Sequence, residues 1–185
     1  MSLLAWLLGG CASSRILDAE VQSFTGAQTA TAPARYQFER LPSQQNSALQ
    51  NQLEALAEPV LNQIGLTQHD TEARYSVTLA VRVDTIQRYP YQPSRQFGML
   101  ATEPGVPWHA GLALSMELPW YRHTVHILLR ERASAQPVFE SSATYEGPWS
   151  DTMQLFTPLL QAALEGFPVA GKKMVRIEWP TPTRK

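Results

Sequence analysis

The sequence predicts an α+β fold: a mainly antiparallel, twisted sheet with two amphipathic helices packed on one face. Three observations lead there. Tyr75, Val77, Leu79, Val81 and Val83 alternate with Ser76, Thr78, Ala80 and Arg82, the pattern of a strand with one apolar face. Val125, Ile127 and Leu129 alternate in the same way; the polar stretch 133–137 then turns the chain into a strand from Val138 to Tyr145, so the pair reads as a hairpin. Two other segments place apolar residues three and four apart, which is helix spacing. Such helices and half-buried strands hide their apolar sides together when the helices cover one side of an antiparallel sheet.

Taken in order, the first strand is expected from about Ile16 to Phe24. The small polar run 25–34 follows as a loop. Tyr36 and Phe38 alternate with Gln37 and Glu39 in a short second strand, stopped by Pro42. Leu49, Leu53, Leu56, Val60 and Ile64 then stack on one helix face. Asn46 or Ser47 can cap its start, Gly65 suits the left-handed position after its end, and Pro59 should kink or split it. The strand from Tyr75 to Val83 comes next. Residues 89–108 hold four prolines, two glycines and four aromatics and read as a long loop. Leu112, Leu114, Met116 and Leu118 alternate in a further strand ended by Pro119. After the hairpin, Ser150 or Asp151 caps a second helix with Met153, Phe156, Leu160, Leu164 and Phe167 on its apolar stripe and Gly166 at its stop. Val175, Ile177 and Trp179 share one face of the last strand. Leu53, Leu56, Val77, Leu79, Ile127 and Phe156 are the expected core.

Composition narrows the function. With 185 residues and 44% hydrophobic residues, the chain can build a sizeable core. Its 15 basic and 16 acidic residues leave a net charge of −1, which excludes a basic nucleic-acid footprint. No apolar run approaches the roughly 20 residues of a spanning helix. The single cysteine, Cys11, rules out an intramolecular disulfide. It follows an apolar run and Leu8-Gly9-Gly10, and the stretch resembles a bacterial lipobox. That resemblance implies cleavage before Cys11 and acyl chains on its thiol and freed amine, each buried methylene adding about 0.8 kcal/mol to membrane attachment. Ala12, where an aspartate would favour the inner membrane, implies the periplasmic face of the outer membrane. The chain then divides into a truncated lipoprotein signal segment (1–10), a lipidated tether (11–15), one α+β domain (16–179) and a flexible tail (180–185).

The order of parts resembles the bacterial lipoproteins grouped as domain of unknown function 4136. The likeness rests on an aromatic strand (YQFERLP, 36–42) before a helix ending in Ile64-Gly65-Leu66. A strand follows (EARYSVTLAV, 72–81), then a hairpin (HTVHILLRERASAQPVFESSATYEG, 123–147). Last comes a helix ending in Phe-Pro (ALEGFP, 163–168). It spans about residues 16–179 and brings no catalytic residues to carry over.

His123 and His126 stand three apart on one strand, so they point to opposite faces and do not form a metal pair. His69 and Asp70 lie in a turn. No phosphate loop, nucleophile elbow or zinc-binding helix motif occurs. Ser150-Asp151 reads as a helix start. Glu131, Glu140 and Glu146, near Arg130 and Arg132, read as cross-strand solvent partners rather than as a catalytic acid–base pair. No catalytic residue, metal or cofactor is therefore expected.

The expected function is that of a non-enzymatic, outer-membrane-anchored periplasmic lipoprotein that binds another cell-envelope component, an envelope protein or the headgroup region of the membrane. The lipid on Cys11 holds it to the membrane, and it does not bind nucleic acid. Tyr89, Tyr91, Phe97 and Trp108, with Trp120 and Tyr121, are the expected recognition surface, because half-polar aromatics suit half-wet contacts. A carrier or sensor of a small apolar ligand held between sheet and helices is the second reading, and a hydrolase with a dispersed site the third.

Overall fold

A computed structural model describes residues 14–86 and 119–180. Cys11, the whole loop expected at 89–108, the strand expected from Leu112 to Leu118 and the tail beyond Pro180 lie outside them. The described elements are β1 (Ser14–Thr25), β2 (Ala34–Phe38), α1 (Ala48–Gln63), β3 (Leu66–Gln68) and β4 (Tyr75–Ile86). They continue with β5 (Trp120–Glu131), β6 (Pro137–Gly147), α2 (Thr152–Leu164) and β7 (Gly171–Pro180). The strands form one sheet in the order β3-β2-β4-β5-β6-β1-β7.

The architecture is α+β with two helices, and the sheet is mixed. β4–β5, β5–β6, β6–β1 and β1–β7 are antiparallel, but β2 runs parallel to both β3 and β4. The departure has a cause in α1. A helix-length connection between β2 and β3 returns the chain to the end from which β2 started, which is how parallel neighbours are joined. β3 itself is three residues long and too short to show a period.

β1 sits inside the sheet, between β6 and β7. The chain then crosses the far end of β6, β5 and β4 through residues 26–33 to start β2. Gly26 is needed at the first step, because a Cβ there would lie 1.9 Å from the carbonyl oxygen of Pro137. Ala30 is buried along the way, and the Tyr75 hydroxyl receives the backbone N–H of Thr31 at 3.1 Å.

Local signals set the helix ends. Ser47 Oγ accepts the N–H of Gln50 at 3.2 Å, and Asp151 Oδ1 accepts that of Gln154 at 3.1 Å. Gly65 and Gly166 follow the helices at φ of 84° and 85°, a conformation that strains any residue with a Cβ. α1 continues through Pro59 rather than splitting there. Proline removes the bond to the carbonyl of Ala55. Both residues lie on the exposed side, where water can take that carbonyl.

The buried side of α1 is rotated from its apolar stripe. Leu49 is 52% exposed and Leu56 is only half-buried, whereas Gln50, Leu53, Glu54, Ala57, Val60 and Leu61 face inward. Polar Gln50 and Glu54 are tolerated because they are satisfied. Arg40 donates two hydrogen bonds to the Glu54 carboxylate, at 2.7 and 2.6 Å, and Gln50 Nε2 donates a third at 3.1 Å. α2 contacts β5, β6, β1 and β7 and also α1. Packed against both sheet and helix, it buries Leu155, Phe156, Leu159, Leu160, Ala163 and Leu164 rather than a single stripe. Leu53, Val77, Leu79, Ile127 and Phe156 share one core, with Tyr36, Tyr75 and Phe139 among its largest side chains.

Candidate functional site

Of the expected recognition residues, Tyr89, Tyr91, Phe97 and Trp108 lie outside the described residues. Trp120 and Tyr121, expected just outside a strand, are the first residues of β5. Trp120 pairs with Ile86 and Tyr121 with Thr85 and Gly147. Hydropathy alternation starts only at His123, which hides this strand start from a sequence reading. Both aromatic side chains are half-buried.

Behind them lies a cluster that the sequence reading did not single out. Strand parity puts Tyr121 and His123 on the helix-covered side, and the register sets Tyr145 of β6 opposite His123. The Tyr121 and His123 rings are 6.3 Å apart, those of His123 and Tyr145 6.4 Å, and Trp149 stacks on Tyr145 at 5.8 Å. His123 is 1% exposed. Its Nε2 stands 2.9 Å from the Trp149 carbonyl oxygen. A carbonyl only accepts, so Nε2 carries a proton. The ring's Nδ1 is buried without a hydrogen-bond partner. The signal that could have found the cluster is parity: positions 121, 123 and 145 fall on one side once the hairpin register is known.

The remaining candidates are partnered. His126 points to the other face, as its spacing from His123 requires, and meets Glu140 Oε1 at 2.9 Å. Arg122 pairs with Glu146 at 2.6 Å and Arg74 with Glu131 at 3.2 Å. The three glutamates are thus partnered from neighbouring segments, although their partners are Arg122, His126 and Arg74 rather than Arg130 and Arg132. Asp151 Oδ2 accepts Gln154 Nε2 at 2.7 Å, so it caps α2 and does not activate Ser150. His69 Nδ1 accepts the N–H of Glu72 at 3.2 Å beside an open depression lined by Glu58, Gln68, Asp70 and Thr71. No group of three metal-ligating side chains comes together among the described residues. Between the layers, Leu17, Tyr36, Leu79, Phe139 and Phe156 occupy the space at 0 to 1% exposure.

Fold and site together define a two-layer α+β domain with one packed sheet face and one charge-paired face. The family model for a domain of unknown function (DUF4136) matches residues 19–169, and the chain belongs to that family. No curated protein matches it. Among solved structures it is similar to the PelC dodecamer from Paraburkholderia phytofirmans, at 15% identity over 79% of this chain and 94% of that one, with a TM-score of 0.46. A point variant of that dodecamer gives 0.44. A PDZ domain protein from Parabacteroides distasonis shares the fold with a TM-score of 0.54, at 11% identity over 90% of this chain and 39% of that one.

Proposed function

We propose that the protein is a non-enzymatic lipoprotein, held by acylated Cys11 on the periplasmic face of the outer membrane, that binds another component of the cell envelope. The observation that carries this reading is the position of Leu8-Gly9-Gly10-Cys11, a lipobox pattern ending three residues before β1 begins at Ser14. Several acyl chains on one residue anchor a domain without a spanning helix, and no helix among the described residues is long and apolar enough to span. The recognition surface is the segment carrying Tyr89, Tyr91, Phe97 and Trp108, together with Trp120 and Tyr121, where that segment rejoins the sheet.

Mass spectrometry of the N-terminus and membrane fractionation test the anchor. The native protein should begin at a Cys11 bearing acyl chains. Cys11→Ser should leave the chain uncleaved or release it from the outer-membrane fraction. An unacylated native N-terminus with unchanged fractionation of Cys11→Ser overturns the proposal.

A further inference from the structure

The ladder pairings place five strand ends together. Ser14 of β1 is opposite Pro180 of β7, and Arg15 is opposite Trp179. Trp120 of β5 is opposite Ile86 of β4, and Tyr121 is opposite Gly147 of β6. Because β1 runs antiparallel to β6, with Glu20 opposite Thr144, the start of β1 and the end of β6 lie at the same end of the sheet. The start of β1 is the end to which Cys11 is joined. Three residues of extended chain reach at most about 11 Å, so an anchor on Cys11 holds this end of the sheet against the membrane.

The same end collects the aromatic residues with polar tips. Trp120, Tyr121, Tyr145 and Trp149 lie there, as does the β7 position of Trp179. The opposite end carries Phe24 and Phe139, with Phe167 against Phe139, and its tyrosines, Tyr36 and Tyr75, are fully buried in the core. Trp and Tyr are the residues enriched where membrane meets water, since their rings are apolar and their N–H and O–H groups stay wet. Among the nearby charges, Arg176 is paired with Asp18, Arg122 with Glu146 and Arg82 with Asp84. No described ion pair has to be broken for this end to approach a headgroup layer.

We infer that this end of the sheet docks on the phospholipid headgroup layer, with Trp120, Tyr121 and the Arg15–Trp179 rung facing the membrane. This rests on the reading of Cys11 as the lipid anchor and names the envelope component at that surface as the membrane itself. The single thiol allows a test that does not depend on native acylation. The full chain is coupled through Cys11 to a maleimide-headgroup lipid in phosphatidylethanolamine–phosphatidylglycerol vesicles, with or without brominated acyl chains that quench indole. A variant with Trp120 as its lone indole should be quenched at least about twofold more than one whose lone indole is Phe24→Trp, at the far end. A variant keeping Trp179 alone gives the same comparison if the first does not fold by circular dichroism. Equal quenching at both ends, or none at Trp120 and Trp179, overturns the inference and leaves this end to a protein partner. The native N-terminal mass decides the anchor separately.

Discussion

On the sheet face covered by α1 and α2, Leu17, Val77, Ile127 and Phe139 are no more than 1% exposed. The residues that alternate with them in the same strands behave differently. Asp18 meets Arg176 at 2.8 Å, Glu20 meets Lys172 at 2.6 Å, Arg122 meets Glu146 at 2.6 Å and His126 meets Glu140 at 2.9 Å. Period-two geometry sends neighbouring residues of one strand into these two settings. The covered face gains stability from area removed from water, about 25 cal/mol per Å² of apolar surface. The open face gains little, because its ion pairs are half-exposed and screened. What it gains is register: each pair crosses neighbouring strands, and a slip of one residue would carry the charges into the core. One face holds the fold together and the other specifies which strands meet.

That division is broken most severely from the covered side. Phe156 of α2 is wholly buried in the core. Phe156→Ala should cost about 3–5 kcal/mol in a denaturant melt. A cost below about 1 kcal/mol would mean that α2 is not the centre of the core.

A finer comparison lies on α1. Leu53 is 3% exposed while Leu56, one turn on, is only half-buried. Leu53→Ala should cost about 2–5 kcal/mol and Leu56→Ala clearly less than that range. Equal losses would restore the stripe read from hydropathy and refute the rotated face.

Tyr36 sharpens the contrast from inside the core. Its hydroxyl is buried and has no hydrogen-bond partner. Burial, and then the negative charges of Glu58 and Glu54, push its phenol well above the usual range. Tyr36→Phe removes an unpaired polar group, so it should be neutral or stabilising by about 1 kcal/mol at neutral pH. The pH dependence has a definite sign. A raised folded-state value gives a contribution that is full below the unfolded phenol's value of about 10 and is lost as pH rises through the folded one. The wild type should therefore lose stability in alkali, and Tyr36→Phe should flatten that loss in melts taken across the range.

Much of this architecture was legible in the residues because it is set locally. Ser47, Gly65, Asp151 and Gly166 each act within one helical turn, and the hairpin, with its alternation and polar turn, sits in one stretch of chain. His123 and His126 fall on opposite faces by spacing alone. What escaped is decided at long range. β3 has three residues and is a strand only because β2 lies beside it. The parallel course of β2 follows from α1 as a crossover, and the interior place of β1 follows from a connection that passes three strands. Gln50 and Glu54 turn inward because Arg40 waits there, and hydropathy counts them as outward. The cluster of Tyr121, His123, Tyr145 and Trp149 needs the hairpin register before its members become neighbours. The proposed recognition surface rests on composition alone, and of its six residues the described structure contains Trp120 and Tyr121.

The smallest expected effect comes from the open face. Arg122 and Glu146 stand directly opposite in the β5–β6 register, with side chains 47% and 45% exposed. Geometry favours the pair, but water screens both partners and two long side chains must be held still. A double-mutant cycle of Arg122→Ala and Glu146→Ala should give a coupling of about 0.2–1 kcal/mol, shrinking as salt is added. Acid should act on the same face. Hydrogen bonds from Arg176 and Lys172 hold the Asp18 and Glu20 carboxyls below their usual range. Lowered folded-state values give a contribution that is complete above the ordinary carboxylate range and disappears as pH falls through the lowered ones. Asp18→Asn should therefore narrow the acid-induced fall in melting temperature slightly and leave melting at neutral pH almost unchanged. A salt-insensitive Arg122–Glu146 coupling above about 2 kcal/mol would place a share of the fold's stability on the open face. That result would end the distinction between a face that holds the protein together and a face that only sets its register.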